Sequence, residues 1–219
     1  MGHSYDKIAM THIVICHLAG YTQAMSETAL TRERILEVAE EVLRRFGPSK
    51  ATVVDVARAL GVSHGSVYRH FASKADLRDA VTRVWLSRII NPLEAVAAED
   101  APAPERLYRW LRELVTIKRR LLAEDPELFA TYVELGAEAR EVVGEHMGHM
   151  TGQVSRIIQD GVAHGEFEAK DPAATGRAVL AATARFHNPS HASEWGHPDI
   201  DTNFEEVWSL ILNGLKPRY

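Results

Sequence analysis

From Thr31 to Leu215 the apolar residues return every three or four positions, punctuated by glycine, proline and cap residues, and no alternating run competes. Such a chain can bury its apolar residues only by packing helix against helix. Ile35, Val38, Ala39, Val42, Leu43 and Phe46 share one face of a first helix, which Gly47-Pro48 stops. Thr52-Val-Val-Asp55 has capping-box spacing, since the hydroxyl and the carboxylate can satisfy free amides at a helix start. Val53, Val56, Ala57 and Leu60 then form the buried face. Gly61 supplies a left-handed residue, Val62 can plug the core, and Ser63 is placed to cap the next helix, so the turn is about three residues long. The helix opened by Ser63 is short, ending near Phe71, with Val67 and Phe71 on its packing side. Ser73-Lys-Ala-Asp76 opens a longer one carrying Leu77, Val81, Val84, Trp85 and Ile89, which Asn91-Pro92 is expected to end. Ala101-Pro-Ala-Pro104 reads as a stiff extended joint. Beyond it, helices are expected at about 104–123, 126–136, 138–164, 172–187 and 200–214, with Asp-Pro pairs at 125 and 171 marking starts.

The expected architecture is therefore all-α: a small three-helix unit over 25–78 and a larger helical body over 79–219. Residues 1–24 are set aside as an upstream leader, a misplaced start codon or a disordered arm, because Met25-Ser-Glu-Thr leads directly into the first strong helical pattern. Cys16 is the only cysteine, which excludes an intrachain disulfide framework and a four-cysteine zinc site and fits a reducing cytoplasm. The apolar stretch Ile13 to Ala19 is far shorter than the ~20 residues a membrane span needs, and no membrane partner is expected. The net charge of −5 hides a division. Residues 31–90 hold 11 basic against 7 acidic side chains, whereas residues 91–219 hold 13 against 21. A basic front is joined to an acidic body, a distribution that suits nucleic acid at one end.

Two helices on a short turn, braced by a long amphipathic one, can present the third helix of the unit to a DNA major groove. That helix carries the chemistry. Gly65 lets a backbone approach closely, Tyr68 and His70 can donate to phosphate, Arg69 can read a guanine edge, and Lys74 adds a point charge. The run Thr52-Val-Val-Asp-Val-Ala-Arg-Ala-Leu-Gly-Val-Ser-His-Gly-Ser-Val-Tyr-Arg-His-Phe71, followed by Ala-Ser-Lys74-Ala-Asp-Leu77, resembles the DNA-binding region of the TetR family of bacterial transcriptional regulators. The likeness spans roughly residues 31–80 and includes the Leu-Gly-Val turn, the Tyr-x-His-Phe end and the Lys-x-x-Leu that follows. It implies an N-terminal helix-turn-helix domain, a larger ligand-binding and dimerisation domain, and a homodimeric repressor of a palindromic operator in double-stranded DNA, released by a small-molecule effector. Carried over by position, the DNA contacts are Thr52, Ser63, His64, Gly65, Ser66, Tyr68, Arg69, His70 and Lys74.

The body is less explicit. Trp110, Phe129, Tyr132, His146, Met147, Met150 and Phe186 fall on expected helices and are the candidates for an effector pocket, since such pockets are mostly apolar and aromatic with a few polar groups. His146 and His149 share a helix face beside Glu145, yet spacing alone is poor evidence for a metal, and no metal ligand and no cofactor are assigned. The alanine-rich helix from Pro172 to His187 and the last helix, with Phe204, Val207, Trp208, Ile211, Leu212 and Leu215, suit either a four-helix dimer face or an internal core. The alternative class is a metal- or ligand-dependent enzyme built on the His-rich body. Against it, the chain has no glycine-rich phosphate loop, no nucleophile elbow and no His-Glu-x-x-His motif, so no catalytic residue is named.

Overall fold

Residues 30–217 are described by a computed structural model, and the expectation for residues 1–24 lies outside them. The helix-turn-helix unit is built by its caps. In α1 (Arg32–Phe46) the Thr31 side chain accepts from the Arg34 amide, and in α2 (Val53–Leu60) Thr52 and Asp55 complete a reciprocal capping box. Gly61 ends α2 at φ 69°, a left-handed conformation that glycine adopts without a Cβ penalty. The Ser63 hydroxyl caps α3 (His64–Tyr68) by accepting from the Ser66 amide, and Ser73 does the same for α4 (Lys74–Ala97) from Asp76. Ile35, Val38, Val56, Val67, Phe71 and Leu77 are buried together in the core of this unit. Replacing Thr52 by alanine is expected to cost about 1 kcal/mol of stability, measurable by denaturant unfolding of the whole chain.

The body follows as α5 (Ala103–Glu124), α6 (Pro126–Glu138), α7 (Arg140–Ala163), α8 (Pro172–Ala182), the single turn α9 (Ala184–His187), a 3-10 segment (Pro189–Glu194) and α10 (Ile200–Leu215). Asp125 and Asp171 cap α6 and α8 through their carboxylates, as their Asp-Pro pairs announced. Three expectations are corrected. Pro92 does not end α4, which runs on to Ala97; the local cost of an interior proline, about 3 kcal/mol, is offset by burial of Leu93, the next residue, and of Ala97 at the helix end. Pro104 stands in the first turn of α5, where a missing amide is harmless, so the joint shrinks to the residues just before it. The helix expected over 172–187 breaks at Thr183, whose hydroxyl donates back to the Val179 carbonyl.

The two parts share α4. Arg88 makes a bidentate pair with Glu40 of α1, with N–O distances of 2.9 and 2.7 Å, and Arg44 of α1 reaches the α6 cap Asp125 at 2.9 Å. Arg78 pairs with Glu138 at the end of α6, and Arg83 with Glu145 of α7 at 3.3 Å. On the far side of the body Arg106 donates to the Ala97 carbonyl and to Asp160, fastening the end of α4 to α5 and α7.

Candidate nucleic-acid interface and cavity

The basic unit presents one polar surface. Thr52, Ser63, His64, Gly65, Tyr68, Arg69 and Lys74 are exposed, and Ser66 and His70 are half-buried at its edge. Val67 and Phe71 face the opposite way, into the core. The surface is preordered: Arg69 Nη2 donates to Ser66 Oγ at 3.2 Å, and His64 and Tyr68 meet edge to face with centroids 6.4 Å apart. Thr52 is more constrained than its place in the pattern suggests. Its hydroxyl donates to Asp55 Oδ2 at 2.6 Å and its amide donates to the same atom at 3.1 Å, so both donors are committed. These bonds hold the Asp55 carboxyl below the usual carboxylate range. A Cβ added at Gly65 would meet only Ser63 Oγ, at 3.7 Å, so the fold itself leaves room at that position. One brace escaped the sequence reading. Arg32 lies 4.1 Å from the centroid of the Phe71 ring and donates to the His70 carbonyl at 2.7 Å, clamping the end of α3 to α1. Its signal was only a basic residue in the first turn of α1, where a helix macrodipole disfavours one.

The body encloses a second feature, an open cavity of about 730 Å³ between α4, α5, α6, α7 and the α8–α9 corner. Four of the expected pocket residues line it: Tyr132, His146, Met147 and Met150. Trp110, Phe129 and Phe186 do not. Trp110 is fully buried and its indole N–H donates to Gln153 Oε1 at 2.9 Å; Phe129 packs edge-on to Trp85 and Trp195, and Phe186 to Phe204. Sequence reading missed Trp85, which stacks on Tyr132 at 4.4 Å, and the polar trio Lys118, His187 and Arg177.

Charge in the cavity is one-sided. Lys118 of α5 is buried with its ammonium 5.5 Å from the centroid of the Trp85 ring, and burial pulls it down to about 8. Burial, reinforced by Lys118, lowers both His146 and His187 to about 4, so both imidazoles are neutral at pH 7. The Thr183 hydroxyl already donates to Val179, so its oxygen is left to accept from His187 Nε2 at 3.3 Å, which places the proton of that ring on Nε2. His146 Nε2 and the Tyr132 hydroxyl are buried without a hydrogen-bond partner among the described residues. Burial, and then the Glu40 carboxylate, push the Tyr132 phenol up, so a cavity-lining ring ends beside the Glu40–Arg88 pair that joins α1 to α4. Among the described residues no three His, Cys, Asp or Glu side chains converge to hold a metal, and no helix is long and apolar enough to cross a membrane.

A three-helix unit with a polar third helix, joined through one long helix to a helical body with a cavity, defines a helix-turn-helix transcriptional regulator. The comparisons agree. The family model for bacterial regulatory proteins of the tetR family matches residues 35–81, and that for the tetracyclin repressor-like C-terminal domain matches residues 103–208. The HTH-type transcriptional regulator TtgR of Pseudomonas putida is 38% identical over 154 residues, covering 66% of this chain and 73% of the relative. The HTH-type transcriptional repressor KstR2 of Rhodococcus jostii is 26% identical over 200 residues, covering 84% and 90%. Among solved structures, the regulator FadR of Bacillus subtilis in complex with stearoyl-CoA superposes with a TM-score of 0.62 at 21% identity, covering 84% of this chain and 99% of that one. The chain belongs to the TetR family of transcriptional regulators, and its relatives are regulators rather than enzymes.

Proposed function

We propose that the protein is a homodimeric repressor that binds a palindromic operator through α3 and leaves it when a small molecule occupies the cavity. The observation that carries this reading is α4: it starts at Lys74, directly beside the recognition surface, and eight to twelve residues later supplies Thr82, Trp85 and Leu86 to the cavity wall. An occupant pressing on Trp85 therefore acts on the helix that holds the recognition unit. Occupancy favours the conformer whose two recognition helices are wrongly spaced for successive major grooves, a population shift that requires differential affinity for the two states. One five-residue helix reaches few base pairs, and a second copy about 34 to 36 Å away supplies the missing contacts. Leu210 on α10, 74% exposed, and the exposed Ala178, Ala181 and Ala182 of α8 support a dimer face in this part of the body. The domains are assigned as 25–78 for DNA and 79–219 for effector and dimerisation.

In this reading Ser63, His64, Ser66, Tyr68, His70 and Lys74 hold phosphates or bases, Gly65 admits the backbone of the duplex, and Thr52 fixes the unit's geometry while offering at most an acceptor. Tyr132, His146, Met147 and Met150 contact the effector. Arg69→Ala is expected to weaken binding of the selected operator by about 1 to 3 kcal/mol and to relax one base position, whereas Lys74→Ala weakens all sequences alike and lowers the salt slope by about one. Competition titrations against scrambled duplex read both; a uniform loss for Arg69→Ala would reduce it to a phosphate contact. The proposal itself is tested by selecting bound duplexes from sheared genomic DNA and titrating the winner by anisotropy across salt. A palindrome taking two protomers supports it, and binding that ignores sequence rejects it.

A further inference from the structure

Among the described residues Lys118 is a buried cation without a counter-charge, and the cavity around it explains what would supply one. Its position follows from helical arithmetic: Leu111, Leu114 and Val115 precede it at seven, four and three residues on α5, so it continues the buried stripe. Only 6% of the residue is exposed, and among the described residues the Trp85 ring is its one compensating neighbour. Although the body is acidic, no aspartate or glutamate among the described residues lines the cavity, whereas Arg177 stands exposed at its edge. Uncompensated burial of an ammonium is costly, and lysines are almost never buried unpaired. His146 adds a second open valence, a buried Nε2 with no partner among the described residues. The remaining wall is apolar, from Trp85, Leu86, Val133, Met147, Met150 and Leu180. A volume of about 730 Å³ suits a drug-sized molecule.

We propose that the cavity takes an amphipathic organic monoanion, an apolar aliphatic or aromatic body bearing one carboxylate, with the carboxylate seated on the Lys118 ammonium beside His146. Of the two cations lining the cavity only the Lys118 ammonium is buried, while Arg177 is exposed and solvated at the edge, so one buried positive charge neutralises one negative charge; a phosphate dianion seated there would leave an excess charge against an apolar wall, and a cation would meet Lys118 itself. The neutral imidazole of His146 can donate to the second carboxylate oxygen. This assignment rests on the reading of the cavity as the effector site and names the chemical class that site selects.

The test is calorimetric titration of the full-length protein with matched probes that share a body and differ in the head: decanoate, decanol and decylammonium, and 4-phenylbutyrate, 4-phenylbutanol and 4-phenylbutylammonium. For at least one body the carboxylate is expected to bind at least tenfold more tightly than the alcohol, with the ammonium weakest. In Lys118→Met the acid-to-alcohol ratio falls to about one, and in Lys118→Arg the preference for acid returns. Equal binding of acid and alcohol by the wild type overturns the monoanion assignment and leaves the cavity as a binding site. Failure of every head group on both bodies overturns the assignment and the effector site together. Should Lys118→Met not fold, the wild-type ratios decide alone.

Discussion

Between pH 6.5 and pH 4 the unliganded protein is expected to lose several kcal/mol of stability, with the free energy of unfolding falling by up to about 2.7 kcal/mol per pH unit. The cause is His146 and His187, each lowered from 6.5 to about 4 by burial, with the Lys118 charge adding to it. The sign follows from where protons go. As the pH falls through 6.5 the unfolded chain binds a proton at each histidine while the folded chain refuses it, so acid drives unfolding until about pH 4, where the folded protein takes them up as well. Each histidine alone contributes about 3 kcal/mol, since one pKa unit corresponds to about 1.36 kcal/mol. Carboxylates held low by hydrogen bonds and ion pairs, such as Glu94, Glu194 and Asp201, add their own acid sensitivity from about pH 5 downward, as the unfolded chain's carboxylates take up protons, so the window above that belongs to the histidines. Urea unfolding at pH 7, 6 and 5 measures the slope. His146→Gln and His187→Gln should each remove about one proton from it, and a flat profile over this range contradicts the burial of both rings.

Replacing Lys118 by methionine should stabilise the unliganded protein by about 3 kcal/mol at pH 7, because a folded-state value near 8 against 10.5 disfavours the ammonium by that much. For a chain of this size that is a rise of roughly 6 to 12 °C in melting temperature. Methionine has a similar length and finds the rest of the buried stripe apolar, so the substitution removes a charge without opening a large void. The sign is again fixed by linkage. Wild-type stability rises as the pH climbs from about 8 to 10.5, where the folded protein has released its proton and the unfolded chain has not; Lys118→Met removes this rise. A neutral or destabilising substitution, read by scanning calorimetry at pH 7, would mean that the lysine is compensated in the unliganded protein. A residue that costs stability and lines the proposed effector site fits a trade-off often met where function opposes folding.

The recognition unit was legible because its signals are local. Thr52, Gly61, Ser63 and Ser73 set helix ends by bonds within three or four residues, and the structure places all four as caps. Pro92 misled for the same reason: a local rule ends the helix, but burial of Leu93 and Ala97 is decided by helices distant in sequence. The cavity was half-legible. Periodicity assigns a face but not a depth, so Trp110 and Phe186, which fill the core, could not be told from Tyr132 and Met150, which line a void. Lys118 was passed over because a lysine beside Arg119 and Arg120 reads as surface, although its place on the Leu111–Leu114–Val115 stripe marked it as buried.

If cavity and DNA compete through α4, reciprocal titration reads the competition from both sides. With the genome-selected duplex and the tightest carboxylate of the probe panel, duplex affinity is measured with and without saturating ligand, and ligand affinity with and without saturating duplex. Each is expected to weaken the other by the same factor, at least tenfold, equivalent to about 1.4 kcal/mol of coupling. Unchanged duplex affinity at saturating ligand would contradict it.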